Sequence, residues 1–482
     1  RSTAWRWPVL AFVAAALVVA GLVDAAVGTA TPAAPAALAS AGAPATSESS
    51  SWYCTGGSGT SGGPGGATLY LVDSGPRAVR GTVTVVNDAG ARASTGVTVP
   101  AGGQAVVATD QVEQGTWLAA TVDLDGGGVV VSELVEGSSG WAEAPCASTT
   151  STQWYFASGA TTNGNSLYVS VFNPASSPAV VDLAFATPAG VMRPQPFEGM
   201  VVAPGQLVVA GVASYVQDRS SVATIVRARS GRVVASELQV RDAGGRSGLS
   251  LRLGSPAPQA TWTVPRTVHV TGSDTTLEVF NPTARAQKVT VSVHLPSGPV
   301  APYVQQVAPD ATWALDTGRS TRIPANTDFA TTVTASGPGV VVDREVAGPT
   351  CGAAPQWGTV AAVGGSTTAV GSRRWILPTA DAPATPAEAG AAPFALALQN
   401  PGAGDVTVTV DRLTPAGPRR LGRVPTLRIP GGAFTVVEPT TLGKAGTDPL
   451  VVRSSGPVSA MEDATPAAMP GVVALAGVPQ SS

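Results

Sequence analysis

Short runs in which apolar and polar residues alternate recur along most of the chain. LYVSVFNP at 167–174 and LEVFNP at 277–282 are typical. Alternation with a period of two places one face of a segment in a core and the other in solvent, which predicts β-strands. Turn residues separate the runs at intervals of about 8–12 residues, and helical periodicity is absent after residue 27. The pattern predicts an all-β protein with antiparallel sheets.

The same order of runs occurs four times. Each unit opens at a tryptophan, continues into an alternating run that ends in Asn-Pro, and closes where an apolar run meets an acid. In the first unit Asp73 stands in the place of the asparagine. The opening tryptophans are Trp52, Trp154, Trp262 and Trp375, the asparagines are Asn173, Asn281 and Asn400, and the closing acids are Glu133, Glu237, Glu345 and Glu462.

Units of about 100 residues with six or seven short strands predict immunoglobulin-like β-sandwiches. We expect four such sandwiches in tandem as separate two-sheet bodies, at residues 52–148, 149–257, 258–370 and 371–482.

The repeated residues favour structural roles. Proline cannot donate to a strand ladder, so Asn-Pro ends a strand, and the asparagine side chain can then bond the backbone of the following turn. The tryptophans are expected to cover the ends of the sandwiches or the joints between them. An acid that recurs once per unit at the same place indicates structure, because active sites are rarely copied four times in tandem.

The N-terminus predicts export. Arg1 and Arg6 precede an uncharged run from Trp7 to Val23, whose length lies between a signal-peptide core and a membrane-spanning helix. Residues 1–27 therefore indicate either a signal peptide or a signal-anchor helix, with all that follows exported. Residues 28–51 are rich in Ala, Pro, Ser and Thr without periodicity, which predicts an extended spacer.

A family resemblance supports this organisation. The second unit, WYFASGATTNGNSLYVSVFNPASSPAVVDLAF, resembles a repeat of secreted bacterial proteins with a W-[YF]-F-A-x-G opening and a strand ending in N-P. The whole arrangement resembles the actinobacterial secreted family catalogued as domain of unknown function 5719, over roughly residues 52–478. The resemblance implies export and tandem β-repeats. It implies no catalytic residues.

The three cysteines allow one disulfide and leave one thiol. Export permits disulfides, and the first and last strands of a sandwich can lie close together. Cys54 lies on the first strand of unit one and Cys146 lies just beyond its last strand, so we expect these two to be bonded. Cys351 remains as a free thiol or an intermolecular link.

Composition narrows the chemistry. The net charge is −3 and charged residues make up 12%, without a basic stripe for nucleic acid. His269 and His294 alternate with valines on predicted strands, which favours solvent-facing structural positions over catalysis. The glycine-rich stretch from Gly56 to Gly66 lacks the lysine of a phosphate loop. Asp123-Leu-Asp-Gly lacks the further ligands of a calcium loop. No cofactor or metal is predicted.

These observations predict a non-catalytic cell-envelope protein, exported and either secreted or membrane-tethered, that acts as a scaffold. Its partner would be an envelope protein or glycan, with the membrane added if the N-terminal helix is retained. Carbohydrate binding or adhesion is the alternative. It would use aromatic side chains outside the repeat positions, namely Trp117, Trp141, Trp313 and Trp357. An envelope glycosidase is a third and weaker hypothesis, because it requires a pair of acids lining a cleft.

Overall fold

Strands form nearly all of the regular secondary structure, and the predicted all-β class is confirmed. The computed structural model describes residues 39–59, 63–243, 246–269, 274–349, 355–361, 363–365, 371–378, 394–443, 448–464 and 473–480. Within these ranges the helical segments are one turn of α-helix, α1 (Pro439–Leu442), and three 3₁₀ turns. None of the helices in the described part of the chain is long and apolar enough to cross a membrane. The predicted N-terminal segment 1–27 lies outside the described residues.

The strands divide into four sets in chain order, and we call the sets repeats 1 to 4. Repeat 1 contains β1 (Ser50–Gly57), β2 (Gly66–Asp73), β3 (Val79–Asn87), β4 (Arg92–Val99), β5 (Gln104–Ala108), β6 (Leu118–Leu124), β7 (Val129–Gly137) and β8 (Gly140–Pro145). Repeat 2 contains β9 (Gln153–Phe156), β10 (Asn165–Phe172), β11 (Ala179–Thr187), β12 (Gly190–Met192), β13 (Met200–Val202), β14 (Leu207–Gly211), β15 (Ala223–Ser230), β16 (Val234–Ala243) and β17 (Arg246–Leu253).

The second half of the chain follows the same scheme. Repeat 3 contains β18 (Thr261–His269), β19 (Asp274–Asn281), β20 (Gln287–Leu295), β21 (Gly298–Pro299), β22 (Tyr303–Val307), β23 (Ala311–Asp316), β24 (Thr327–Ala335), β25 (Val341–Pro349), β26 (Pro355–Ala361) and β27 (Val363–Gly365). Repeat 4 contains β28 (Ser372–Leu377), β29 (Phe394–Gln399), β30 (Val406–Arg412), β31 (Arg419–Arg420), β32 (Leu427–Ile429), β33 (Phe434–Val437), β34 (Leu450–Ala464), β35 (Val473–Ala476) and β36 (Val478–Pro479).

The strands of every repeat pair in the same scheme, as two antiparallel layers, and in repeat 4 the long strand β34 runs through both layers and joins them into one sheet. In repeat 1 the sheets have the orders β1-β6-β3-β4 and β5-β2-β7-β8. Apolar side chains of both sheets, including Trp52, Val83 and Leu71, share one core. The first strand lies beside the sixth, in the sheet opposite the second strand. In the immunoglobulin fold the first two strands are neighbours, so the strand order departs from the one that the repeat length predicted.

The repeats are not the separate bodies expected from the sequence. Strands of repeats 2 and 3 share one eight-stranded sheet, ordered β14-β10-β16-β17-β26-β25-β19-β23. The join is a short parallel pairing between β17 and β26, at Ser247 with Gln356 and Gly248 with Trp357. The outer faces of the repeats carry apolar side chains such as Leu249 and Leu251, and these are buried between repeats 1 and 2. Burial of such faces favours association over isolation.

The contacts between repeats form a closed cycle. The last strands of the second sheets touch in sequence, β8 with β17, β17 with β26, β26 with β35, and β35 again with β8. The core of repeat 1 includes Ile376 and Val478 from repeat 4, and the core of repeat 4 includes Leu134 and Trp141 from repeat 1. Residues 38–482 accordingly form one compact unit. We call this arrangement the ring and its four junctions the 1–2, 2–3, 3–4 and 4–1 seams.

The end of the predicted spacer lies on the ring. Gly42 N donates to Pro479 O at 2.8 Å, Gly128 N donates to Ala43 O at 3.0 Å, and Ser148 N donates to Ala39 O at 3.0 Å. Residues 39–49 therefore bridge repeat 1 and the last described strand, and the extended-spacer expectation is wrong for this part. A segment without periodicity can still be ordered when its backbone groups find partners. Residues 28–38 lie outside the described residues.

The opening tryptophans tie the first strand of a repeat to its closing strand. All four indoles are buried. Trp154 Nε1 donates to Val233 O at 2.8 Å, Trp262 Nε1 donates to Val340 O at 2.7 Å, and Trp375 Nε1 donates to Val458 O at 2.8 Å. Val233 and Val340 immediately precede the strands that carry the closing acids, whereas Val458 lies within β34, four residues before Glu462. Trp52 has no such bond among the described residues.

The asparagines of Asn-Pro hold two loops together. Asn173 Nδ2 donates to Ser177 O and Val202 O, both at 2.9 Å, and its Oδ1 accepts from Ala175 N at 3.1 Å. Asn281 and Asn400 make the same sets of bonds, to residues four ahead and about 26–30 ahead. Each side chain thus satisfies the turn after its strand and the end of a distant strand at once.

Candidate functional site: charged seams between the repeats

Strand register shows which residues are equivalent among the closing acids. Glu133, Glu237 and Glu462 each lie opposite the residue four before the Asn or Asp of the repeat, at Leu69, Val169 and Leu396. In repeat 3 that position, Leu277, pairs with Arg344. Glu345 is therefore not the fourth equivalent acid, and the sequence-based assignment is wrong by one residue. The reason is that VVVDRE carries one more residue before its acid than VVVSE.

At the 1–2 seam the closing acid of repeat 1, Glu133, is bound by its own repeat. Gly56 N donates to Glu133 Oε2 at 2.9 Å, and burial raises the pKa of Glu133 to about 7. A Cβ at Gly56 would lie 2.3 Å from Leu251 Cδ1 of repeat 2, so this glycine allows the close approach. The hydroxyls of Thr55 and Ser236 lie 2.6 Å apart across the seam. This seam is joined by neutral groups.

At the 2–3 seam an arginine bridges two acids. Arg252 pairs with Glu237 within repeat 2 and its Nη1 lies 3.5 Å from Asp343 Oδ2 of repeat 3. Ser158 N donates to Asp343 Oδ2 at 3.1 Å, and Thr224 Oγ1 donates to Glu237 Oε2 at 2.9 Å. Burial raises the pKa of both acids. Buried carboxylates held in this way have a cation and several donors each.

A second ion pair extends the 2–3 seam. Arg241 of repeat 2 pairs with Glu345 of repeat 3. Glu278, on the strand next to Glu345, is buried, and its Oε2 has no hydrogen-bond partner among the described residues. Burial, with the negative charges of Glu345 and Asp343 beside it, raises the pKa of Glu278 to about 8. The surroundings of Glu278 therefore favour its neutral form.

At the 3–4 seam the residue at the position of the closing acid, Arg344, is a cation. Arg344 is buried and donates to Asp463 Oδ1 of repeat 4 at 3.3 Å. Arg266 approaches the other oxygen of Asp463 at 3.8 Å and is also paired with Asp328 at 3.3 Å. One acid of repeat 4 is thus shared by two arginines of repeat 3. This seam has opposite charges face to face.

At the 4–1 seam two acids are buried without a cation among the described side chains. Glu462 of repeat 4 and Glu143 of repeat 1 are 4% and 7% exposed. Burial raises the pKa of Glu143 to about 8, and the nearby Ser132 hydroxyl offsets only part of this. Burial and the charge of Glu143 hold the pKa of Glu462 well above its usual range. One oxygen of each carboxyl, and the Ser132 hydroxyl, have no hydrogen-bond partner of normal geometry among the described residues.

The remaining predicted residues lie apart from the seam charges. Cys54 and Cys146 form a disulfide, whereas Cys351 lies outside the described residues. His294 lies on the face of β20 away from the buried valines and is half-buried, with Nε2 3.1 Å from Thr332 Oγ1. The side chain of His269 lies outside the described residues. Asp123 accepts a hydrogen bond from Ser51 Oγ at 2.6 Å.

The aromatic residues proposed for sugar stacking are mostly engaged within the protein. Trp141 is buried in the 4–1 core. Trp117 packs on Tyr168 with ring centroids 4.9 Å apart at the 1–2 seam, and Trp313 packs on the core of repeat 3. The side chain of Trp357 lies outside the described residues. Trp141 therefore cannot stack on a sugar in this state.

Comparison with known proteins identifies the group to which the chain is related. A model described as "Family of unknown function (DUF5719)" matches residues 106–347, half of the chain. The chain belongs to this family. No curated protein matches this DUF5719 member.

Solved structures give weak likenesses to the DUF5719 chain. "Crystal Structure of Thermotoga maritima 1070" is 17% identical, covers 23% of this chain and 98% of its own, and has a TM-score of 0.21. "Anabaena sensory rhodopsin transducer" is 20% identical, with coverages of 18% and 94% and a TM-score of 0.17. "Crystal structure of tetra-tandem repeat in extending region of large adhesion protein" is 13% identical, with coverages of 91% and 99% and a TM-score of 0.11.

Charged residues pair with one another across the 2–3 and 3–4 seams in the described part of the DUF5719 chain. That part contains no group of three or more His, Cys, Asp or Glu side chains able to hold a metal. Sequence analysis found the acids but missed the arginines that bridge them, Arg241, Arg252 and Arg344. An arginine on an otherwise apolar strand, as in SLRLG at 250–254, is the signal that could have revealed them.

Proposed function

We propose that this DUF5719 protein is an exported, non-catalytic scaffold of the cell envelope that presents the outer surface of its ring to envelope proteins or glycans. The observation that carries the proposal is that ionisable residues at the position of the closing acid are buried and bound within the ring. Glu133, Glu237 and Arg344 are each buried and each bound by a partner within the ring. Buried charges bound in this way fix one arrangement of the repeats. A fixed arrangement suits a protein that displays surfaces at set distances.

The ring also supports a role in binding through strand edges. In repeat 2, β14 ends the eight-stranded sheet, and in repeat 3, Val304 on the edge strand β22 is 52% exposed. Exposed edges can accept an added strand from a partner. The four repeats would offer such edges in four directions around one body. This is the reason to favour protein partners over a soluble small molecule.

Proximity labelling in the native host tests the proposal. A labelling enzyme fused to the C-terminus should mark a reproducible set of proteins outside the cytoplasm. A matched fusion to Arg252→Met, which removes the 2–3 bridge, should lose part of that set at equal abundance. Labelling of cytoplasmic proteins would contradict export. Turnover of an envelope polymer by the purified full chain, lost on a point substitution, would contradict the non-catalytic role.

A further inference from the structure

The 4–1 seam buries two acids on faces that pack together. Cross-strand partners point to the same side of a sheet. Glu143 lies opposite Leu134, and Glu462 lies opposite Leu396. Leu134 and Leu396 belong to the same apolar cluster, which joins repeats 1 and 4. Both carboxyl groups therefore enter one shared core, and β8 touches β35, the strand paired with the Glu462 segment.

The described charged groups around this pair are engaged elsewhere or exposed. On β7, Glu133 is held by Gly56 N on the opposite face and Glu136 is exposed. On β17, Arg252 is bound to Glu237 and Asp343. On β34, Asp463 is bound by arginines of repeat 3, and Arg453 is paired with Asp411. On β2, Asp73 accepts from Gly75 N, and the phenol of Tyr70, a titratable group opposite Ser132, is buried in the same cluster. β26, β29 and β35 carry no charged residue.

Two ionised carboxylates cannot share such a site without a counter-charge. Isolated buried charges are strongly unfavourable, and like charges at one site force one carboxyl to keep its proton. A protonated carboxyl can donate a hydrogen bond to its neighbour, which would satisfy the two oxygens that have no partner. We propose that the 4–1 seam is closed by a proton shared between Glu143 and Glu462, and that it loosens when both become ionised.

A proton fits the seam better than a metal ion. Calcium takes 6–8 oxygen ligands, whereas the described side chains of the seam offer two carboxyl groups and the hydroxyls of Ser132 and Tyr70. At the 2–3 and 3–4 seams Arg252 and Arg344 supply a counter-charge to the acids that face them. The 4–1 seam would then be the junction that depends on a proton shared between two repeats. This inference does not depend on the scaffold function.

Hydrogen exchange on the full chain tests the proposal. Opening constants of β8 and β35 amides, corrected for intrinsic exchange, are measured at pH 5.5, 7 and 8.5 in buffer treated with a chelator. Loss of one bound proton on opening changes an equilibrium constant by up to about tenfold per pH unit. The opening constants should therefore rise by up to about this factor for each pH unit between 5.5 and 8, because an exposed carboxyl is already ionised over this range. Amides of β18, at the 3–4 seam, are the internal reference and should not change in parallel.

Glu462→Gln is the matched variant. Its amide has the shape of a protonated carboxyl and keeps a donor for Glu143, so β8 and β35 should stay protected at pH 8.5. Wild-type protection that does not vary between pH 5.5 and 8.5 would overturn the proposal, as would the same pH dependence in Glu462→Gln. If calcium added to the wild type at pH 8.5 restored the protection measured at pH 5.5, the seam would be assigned to a cation instead.

Discussion

The 2–3 and 4–1 seams solve the same packing problem with different chemistry. Both bury acids where the core of one repeat meets the outer face of the next. At the 2–3 seam Arg252 lies between Glu237 and Asp343. At the 4–1 seam the negative charge of Glu143, with burial, raises the pKa of Glu462, and no cation among the described side chains offsets it. One junction is held by a fixed charge, whereas the other depends on protonation.

This difference gives the ring an order. If all seams were alike, a repeat could pack on any other. The residues at the position of the closing acid are instead Glu, Glu, Arg and Glu from repeat 1 to repeat 4. Each of them has different neighbouring groups. Mismatched neighbours would bring like charges together or leave a charge unpaired, which disfavours wrong arrangements. Specificity of this kind is compatible with a small net gain in stability from each ion pair.

The largest test of the comparison removes the bridge of the 2–3 seam. Arg252→Met keeps the volume of the side chain but leaves Glu237 and Asp343 buried without their cation. Breaking a buried pair in this way costs about 3–5 kcal/mol. Urea denaturation of the full chain at pH 7.5 should show this loss in the free energy of unfolding. The loss should shrink at pH 5, where both acids can take up protons.

Arg229→Met is the control for Arg252→Met. Arg229 is paired with Asp182 at 2.6 Å on the surface, where its side chain is 57% exposed. Exposed pairs contribute little to stability, so this variant should unfold close to the wild type. Equal losses in the two variants would mean that the 2–3 bridge is no more important than a surface pair.

The next largest effect on stability is expected from removing the disulfide of repeat 1, which lies beside the 4–1 seam. The Cys54–Cys146 disulfide holds β1 against the segment after β8, and both cysteines belong to the core that includes Ile376 and Val478 of repeat 4. Cys54→Ser with Cys146→Ser should lower the free energy of unfolding by about 2–4 kcal/mol. In hydrogen exchange the lost protection should be concentrated in β8 and β28. A uniform loss over all four repeats would show that the disulfide does not act through the 4–1 seam.

The pH dependence of overall stability comes next. Burial raises the pKa of Glu133 to about 7 and that of Glu143 to about 8, from 4.5. Between pH 4.5 and these raised values, the folded chain therefore binds more protons than the unfolded chain. Stability is greatest below pH 4.5 for these groups and falls as the pH rises through 7 and 8, by up to about 1.4 kcal/mol per pH unit for each. Denaturation midpoints at pH 5, 7 and 8.5 measure it, and a midpoint that rises with pH would contradict it.

Local patterns predicted much of the fold, but not the association of the repeats. Alternation located the strands, and Asn173, Asn281 and Asn400 had the turn role expected of them. The ring could not be predicted, because apolar residues such as Leu249 and Leu251 give the same sequence pattern whether they pack within one repeat or between two repeats. The partners of the closing acids were missed for a similar reason. Arg344 and Asp463 are separated by 119 residues in sequence, and no local spacing links them.

The smallest effect returns to the place where repeat 1 departs from the other three. Asp73 is buried, and its Oδ1 accepts from Gly75 N at 2.6 Å. Its Oδ2 has no partner among the described residues, because an acid lacks the amide N–H groups that Asn173 donates to two carbonyls. Burial accordingly raises the pKa of Asp73 to about 6. Asp73→Asn should supply the missing donor, for which Val99 O is the expected acceptor.

Asp73→Asn should raise the free energy of unfolding by about 1 kcal/mol. The gain should be larger at pH 8 than at pH 5, since the acid is less favourable when ionised and the amide does not titrate. The reverse change, Asn173→Asp, is the matched control and should lower stability by about 1–3 kcal/mol at pH 8. Urea denaturation of the three proteins at both pH values measures these differences. If Asp73→Asn were destabilising at pH 8, the loops of repeat 1 would have to be closed by a different set of bonds, and the equivalence of the four repeats would fail at this turn.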